Sequence, residues 1–135
     1  MTIDDENAIK DLARRQLAAW ADGDGQAFAD TFTHDADFIA ANGELIQTRE
    51  ALALSMQEGF DGFMKGTRMS EAQHTHIRFP APGTAVMITV GNCVLRDGAT
   101  QCRTEDLSQQ TLVAVRTDEG WLFTSFHNSR IRPHL

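Results

Sequence analysis

Residues 106–131 read DLSQQTLVAVRTDEGWLFTSFHNSRI. Two runs rich in β-branched and aromatic residues flank Asp118-Glu119-Gly120, a turn composition, so the stretch predicts two long antiparallel strands joined as a hairpin. Strict alternation along the second strand sets Trp121, Phe123, Ser125 and His127 on one face, and Leu122, Thr124, Phe126 and Asn128 on the other. Both faces carry large apolar side chains, and a free antiparallel sheet usually keeps one face wet, so each face needs a cover. Helices supply one cover. A second copy of the chain is the simplest source of the other, and a homodimer is expected.

Upstream of the hairpin, residues 69–79 (MSEAQHTHIRF) and 84–95 (TAVMITVGNCVL) read as further long strands, punctuated by Pro80-Ala81-Pro82-Gly83 and Asp97-Gly98. Residues 36–47 hold two short apolar runs around Asn42-Gly43, the strongest short-range hairpin signal. The rest of the first half is helical. Residues 3–21 place Ile9, Leu12, Ala13, Leu17 and Trp20 at helical spacing, with Arg14 and Arg15 on the opposite face. Gln16 lies on the edge of that apolar stripe, four residues before Trp20, and points an amide toward the interior or a cavity. Phe28 and Phe32, at i and i+4 after the helix-breaking ADGDG, suggest a short second helix. Thr48 can cap a third, lined by Leu52, Met56 and Phe60 and loosened at its end by glycines 59, 62 and 66. Helices first and hairpin-linked strands later predict an α+β fold in one domain, residues 1–135, with the helices on one face of a mostly antiparallel sheet.

The net charge of −7 argues against nucleic acid, which is bound largely through Lys and Arg. With 41% hydrophobic residues and no apolar run near the roughly 20 residues needed to span a bilayer, no membrane partner is expected. The acidic opening MTIDDEN lacks the basic and apolar segments of a secretory signal, so a cytoplasmic location is expected. A turn at Asp97-Gly98 would set Cys93 opposite Cys102; in a reducing cytosol the expectation is two free thiols packed as small hydrophobes.

The element order, together with AWADGD (19–24), NGELIQTREAL (42–52) and GWLFTSFHNSR (120–130), resembles the nuclear transport factor 2-like superfamily. Within it the chain is most similar to SnoaL-like and SgcJ/EcaC-type proteins of bacterial secondary metabolism, including those of enediyne polyketide pathways. The resemblance implies a strongly curved sheet wrapped around helices as a cone, with an apolar open-ended pocket and dimerisation through the convex sheet face. It says little about activity, because this scaffold hosts isomerases, cyclases, dehydratases, hydrolases and non-catalytic assembly modules.

Members resembling steroid isomerases use an aspartate base after the first strand and a tyrosine donor on the first helix. The matching positions here carry Ala41 and Gln16, and the chain has no tyrosine, so that mechanism is not expected. Members resembling the kinase hub direct arginines into the pocket, at positions occupied here by Asn92, Leu112 and Asn128, so an anionic ligand loses its main attraction. A bulge near Ser108-Gln109-Gln110 would bring these three onto one face.

The resemblance therefore implies a neutral, largely apolar, polyketide-like ligand, held by Gln16, Asn92, Gln110 and Asn128 between Trp20, Phe38, Phe60 and Phe126. Taken singly, Phe28, Phe32, Phe38, Phe60 and Phe63 read as core. Asn128 and Phe126 are expected to face the pocket, and His127 and Ser129 the dimer side. With the strand faces reversed, His127 would serve as acid or base; Asp37 is the other candidate for an enzyme, a cyclase or isomerase acting without a cofactor. The alternative class is a non-catalytic assembly or chaperone-like module contacting a biosynthetic enzyme. His74 and His76 share a strand face that His127 could join, but no carboxylate or thiol completes a ligand set, and no metal is assigned.

Overall fold

Thr2 and Asp5 start the first helix by exchanging hydrogen bonds. Thr2 Oγ1 accepts from the Asp5 N–H at 3.2 Å, and Asp5 Oδ2 accepts from the Thr2 N–H at 3.1 Å, which satisfies two of the amides a helix N-terminus leaves open. The computed structural model describes residues 2–132. Helix α1 (Ile3–Ala21) buries Ile9, Leu12, Gln16 and Trp20. Helix α2 (Gly25–Ala29) is capped by Asp24. It ends before Phe32, which opens strand β1 (Phe32–Ile39) rather than continuing the helix. Strand β2 (Leu45–Gln47) pairs antiparallel with β1, Ile39 opposite Leu45, across the Asn42-Gly43 turn. Thr48 caps α3 (Arg49–Asp61), accepting from the Ala51 N–H at 3.1 Å. Among the described residues no helix is long and apolar enough to cross a membrane.

The segment read as one strand over 69–79 is divided. Strand β3 (Arg68–Met69) lies apart from β4 (His74–Ala81). After β5 (Thr84–Asn92), β6 (Val94–Leu95) leaves the main sheet to pair with β3. Strands β7 (Ser108–Thr117) and β8 (Gly120–Arg130) form the expected hairpin. The six-stranded sheet has the order β2-β1-β8-β7-β5-β4, antiparallel except where β1 runs parallel to β8.

Bulges bend this sheet around the helices and decide which residues face them. One lies at Gly91 on β5, between the pairs Val90–Gln109 and Asn92–Ser108, where φ is +83°. It does what the bulge expected near Ser108–Gln110 would have done, from the opposite strand: Asn92, Gln110 and Leu112 all face inward and are buried. A second bulge, at Thr124, breaks the alternation expected for β8, since Phe123 pairs with Ala114 but Ser125 with Val113. Phe123 and Phe126 therefore share the inner face instead of opposing one another.

Phe32, Phe123, Ile9, Leu12, Leu52 and Leu112 are fully buried where α1 and α3 meet the concave sheet. Phe28, Phe38 and Phe60 are buried as expected, but Phe63 is 76% exposed on the turn after α3. The cysteines are not free: Cys93 and Cys102 form a disulfide, with Cα atoms 5.9 Å apart. The turn at Asp97 (φ +52°) and Gly98 (φ +76°) brings the chain back to that distance, within the roughly 4.4–6.8 Å that a disulfide spans.

Candidate functional site

Inside the cone, α1, α3 and the concave sheet enclose two chambers. The first, of about 290 Å³, is aromatic: Trp20, Phe38 and Phe126 form its walls, with Met56 and Met64 beside them. Phe38 and Phe126 are register partners on the parallel strands β1 and β8, and their rings stack 4.3 Å apart and 3° from parallel. Trp20 spends its indole N–H within the protein, donating to Thr67 Oγ1 at 3.0 Å, and so offers only its ring. Phe60 packs edge-on behind Trp20, 5.5 Å between centroids, and belongs to the core rather than to the chamber wall.

Asn128 lies on the rim of this chamber. Its Oδ1 is buried and has no hydrogen-bond partner among the described residues. An unpaired buried amide oxygen costs about 1–3 kcal/mol.

The second chamber, of about 230 Å³, carries three amides and a hydroxyl, Gln16, Asn92, Gln110 and Thr89, all buried, and is also lined by Lys10, Arg14 and Glu71. Gln16 Nε2 donates to Thr31 Oγ1 at 3.3 Å. Thr89 Oγ1 lies 3.5 Å from Asn92 Oδ1 and 3.3 Å from Gln110 Oε1. One hydroxyl hydrogen cannot serve two amide oxygens at once. Asn92 Nδ2 donates to Met69 Sδ at 3.4 Å, and thioether sulfur is a weak acceptor. This chamber thus holds polar groups with hydrogen-bonding capacity to spare.

A wider vestibule of about 480 Å³ opens beside the aromatic chamber and shares Phe63, Met64, Met69 and Asn128 with it. Its wall includes the Cys93–Cys102 loop and three arginines. Arg103 donates to Asp106 at 3.0 Å and Arg130 sits 3.5 Å from the same carboxylate. The Arg103 hydrogen bond, foremost, holds the Asp106 carboxyl below its usual value. Arg96 donates to the Phe63 carbonyl at 3.0 Å. The cations are engaged by the protein itself, leaving little free positive charge for an anion.

Eight residues were expected to share one pocket, and the structure distributes them. Trp20, Phe38, Phe126 and Asn128 line the aromatic chamber, Gln16, Asn92 and Gln110 the amide chamber, and Phe60 neither. His127 is exposed on the convex face, paired with Thr111 and Ile39. Asp37 faces the same way and accepts from Ser125 Oγ at 2.5 Å. Neither side chain reaches a chamber. His76 lies on the same convex cross-strand row as His127, beyond Thr111 and Ile88, or about 14 Å at the usual strand spacing, too far to share an ion. Glu44, an exposed residue of the β1–β2 turn, also lines the aromatic chamber. Met69, Met64 and Glu44 escaped the sequence reading, since a methionine or turn glutamate carries no pattern of its own.

A family model for the SnoaL-like domain matches residues 1–127. A domain of unknown function with a cystatin-like fold from Nostoc punctiforme is 32% identical, with a TM-score of 0.88 over 99% of this chain and 82% of that one. Two solved structures share the fold at lower identity. A nuclear transport factor 2-like protein from Novosphingobium aromaticivorans is 18% identical, with a TM-score of 0.82 over 97% of this chain and 84% of that one. The protein Aln2 from a Streptomyces species is 17% identical, with a TM-score of 0.80 over 96% of this chain and 93% of that one. No curated protein sequence matches the chain. With the family model spanning nearly the whole sequence, the chain belongs to the SnoaL-like domain family.

Proposed function

We propose that this protein binds a neutral, hydrophobic, polyketide-like molecule inside the cone and, as a homodimer in bacterial secondary metabolism, guides its cyclisation or isomerisation. One observation carries the reading: the stacked Phe38–Phe126 wall faces an open chamber whose rim amide, Asn128, has no partner for its oxygen among the described residues. An aromatic wall with a few convergent polar groups is the usual chemistry of a small-molecule site. Arginines spent on Asp106 and the Phe63 carbonyl favour a neutral ligand over an anion.

Catalysis here would come from holding a flexible chain in a reactive geometry, which lowers a barrier by prepaying orientation entropy. The carboxylate proposed to move a proton there is that of Glu44, a residue lining the aromatic chamber. The proposed setting is the cytoplasm, with the Cys93–Cys102 bond forming under oxidising conditions, because cytosolic thiols are otherwise kept reduced.

Native mass spectrometry of the protein purified gently from its host tests this reading. A dimer carrying a discrete small-molecule mass is expected, and the Asn128→Leu, Phe126→Ala variant should lose it. An empty protein that also fails to take up aromatic ketones in titration would overturn the proposal.

A further inference from the structure

The linings of the two chambers have one residue in common. Met69 lines the aromatic chamber, the amide chamber and the vestibule alike. It sits on β3, a two-residue strand whose ladder among the described residues is to the equally short β6. Its sulfur is held by the Asn92 amide at 3.4 Å, a contact to a weak acceptor that a ligand carbonyl or hydroxyl oxygen would replace with a stronger one. Methionine is unbranched, with three rotatable side-chain bonds, and refits to whatever lies beside it. Each chamber alone, at about 290 and 230 Å³, falls at or below the lower end of ligand sites, roughly 300–1,000 Å³. A ligand of ordinary size seated in the aromatic chamber therefore extends beyond it, into the vestibule or past Met69.

We propose that Met69 is a movable partition, and that the ligand is an elongated neutral molecule with two unlike ends. Its planar apolar end lies against Phe38 and Phe126. Its oxygen-bearing end, a ketone or hydroxyl, passes Met69 and meets Gln16, Asn92 and Gln110. The amide chamber selects for oxygen because its groups have unspent hydrogen-bonding capacity: Thr89 offers one hydrogen to two amide oxygens, and Asn92 spends a donor on sulfur. A hydrocarbon end would bury those amides unpaired and is disfavoured. This inference rests on the pocket reading above and adds to it the shape and polarity of the ligand, with Met69 as the residue that reads its length.

Two probes separate the claims. 2-Naphthol fits the aromatic chamber alone, whereas 1-(2-naphthyl)butane-1,3-dione carries a diketone long enough to require the second. Removing the partition lifts the cost of populating the open state, so Met69→Ala should tighten the diketone about tenfold relative to 2-naphthol. Adding Asn92→Leu to Met69→Ala should remove the gain. Met69→Val serves if the alanine variant does not fold. In the wild-type protein, the side-chain amide resonances of Asn92 and Gln110, which line the amide chamber alone, should move on adding the diketone and stay in place with 2-naphthol. If 2-naphthol binds but the diketone neither tightens with Met69→Ala nor shifts those resonances, the partition is overturned while the pocket stands. If neither probe binds the wild type or any variant, the pocket reading falls and the partition with it.

Discussion

Phe38 and Phe126 stack face to face because parallel pairing of β1 with β8 makes them register partners on the concave side of the sheet. The Thr124 bulge is what turns Phe126 inward beside Phe123. Offset aromatic pairs contribute about 0.5–1.5 kcal/mol beyond their burial. A double-mutant cycle with Phe38→Leu and Phe126→Leu, read by urea unfolding, should therefore give a coupling energy of about 1 kcal/mol. Leucine is the better probe, since truncating a buried Phe to Ala costs about 3–5 kcal/mol, much of a small domain's stability. Strictly additive single costs would mean that the rings do not act as a unit.

The first turn of α1 is fastened to the sheet through Asp5. Trp121 Nε1 donates to its Oδ1 at 3.1 Å, and Arg116 Nη2 lies 3.1 Å from the same oxygen. The Trp121 hydrogen bond is the main cause of a pKa lowered from 3.8. A depressed folded-state pKa means the stabilisation is fully present above the unfolded value, near 3.8, and is lost as pH falls through the folded one. Asp5→Asn should lower the unfolding midpoint at pH 7 and flatten the acid limb of the stability curve below about pH 4. Parallel curves for wild type and variant would show that this carboxylate does not contribute to acid sensitivity.

How legible these features were depends on whether a local pattern encodes them. Helix α1 follows from its apolar stripe, and the strands of the β7–β8 hairpin from their composition. The turn at Asn42-Gly43 likewise announces β1 and β2. Bulges were harder to place: Gly91 marks its own by φ of +83°, but Thr124 carries no such signal, and with strict alternation the facing of Phe123 came out wrong. The division into two chambers was not visible at all. It depends on β3 leaving the main sheet, and the run after Gly66 looks like the start of one long strand. Phe63 misled in the other direction, because an apolar side chain at the end of a helix has the composition of core whether or not anything covers it.

The convex face tests the dimer. Strands β5 and β7 turn Val86, Ile88, Val90, Val113 and Val115 outward, all only half-buried within one chain. In a two-fold interface each substitution occurs twice against itself. Ile88→Arg should therefore place like charges in the contact and leave a folded monomer, because the side chain lies outside the core. Light scattering during size exclusion should give twice the chain mass for the wild type and the single mass for the variant. A wild-type monomer at micromolar concentration would remove the convex face as an interface.

The Cys93–Cys102 bond closes a loop with a sequence separation of 9. That loop forms a wall of the vestibule and is tied to the rest of the chain by the contacts of Arg96 with the Phe63 carbonyl and of Arg68 with the Ala99 carbonyl. A cross-link over so short a span restricts the unfolded chain by about 2–3 kcal/mol, so reduction should lower the free energy of unfolding by that amount. The aromatic walls Trp20, Phe38 and Phe126 stand on α1 and the main sheet, so the aromatic chamber should survive it. The expected outcome is a split response: with a phosphine reductant, or in a Cys93→Ala, Cys102→Ala variant, the urea midpoint falls while 2-naphthol affinity is retained. If the reduced protein loses both, the loop is an integral part of the aromatic chamber. Unchanged midpoints would mean that the hydrogen bonds of Arg96 and Arg68 hold the loop without the covalent link.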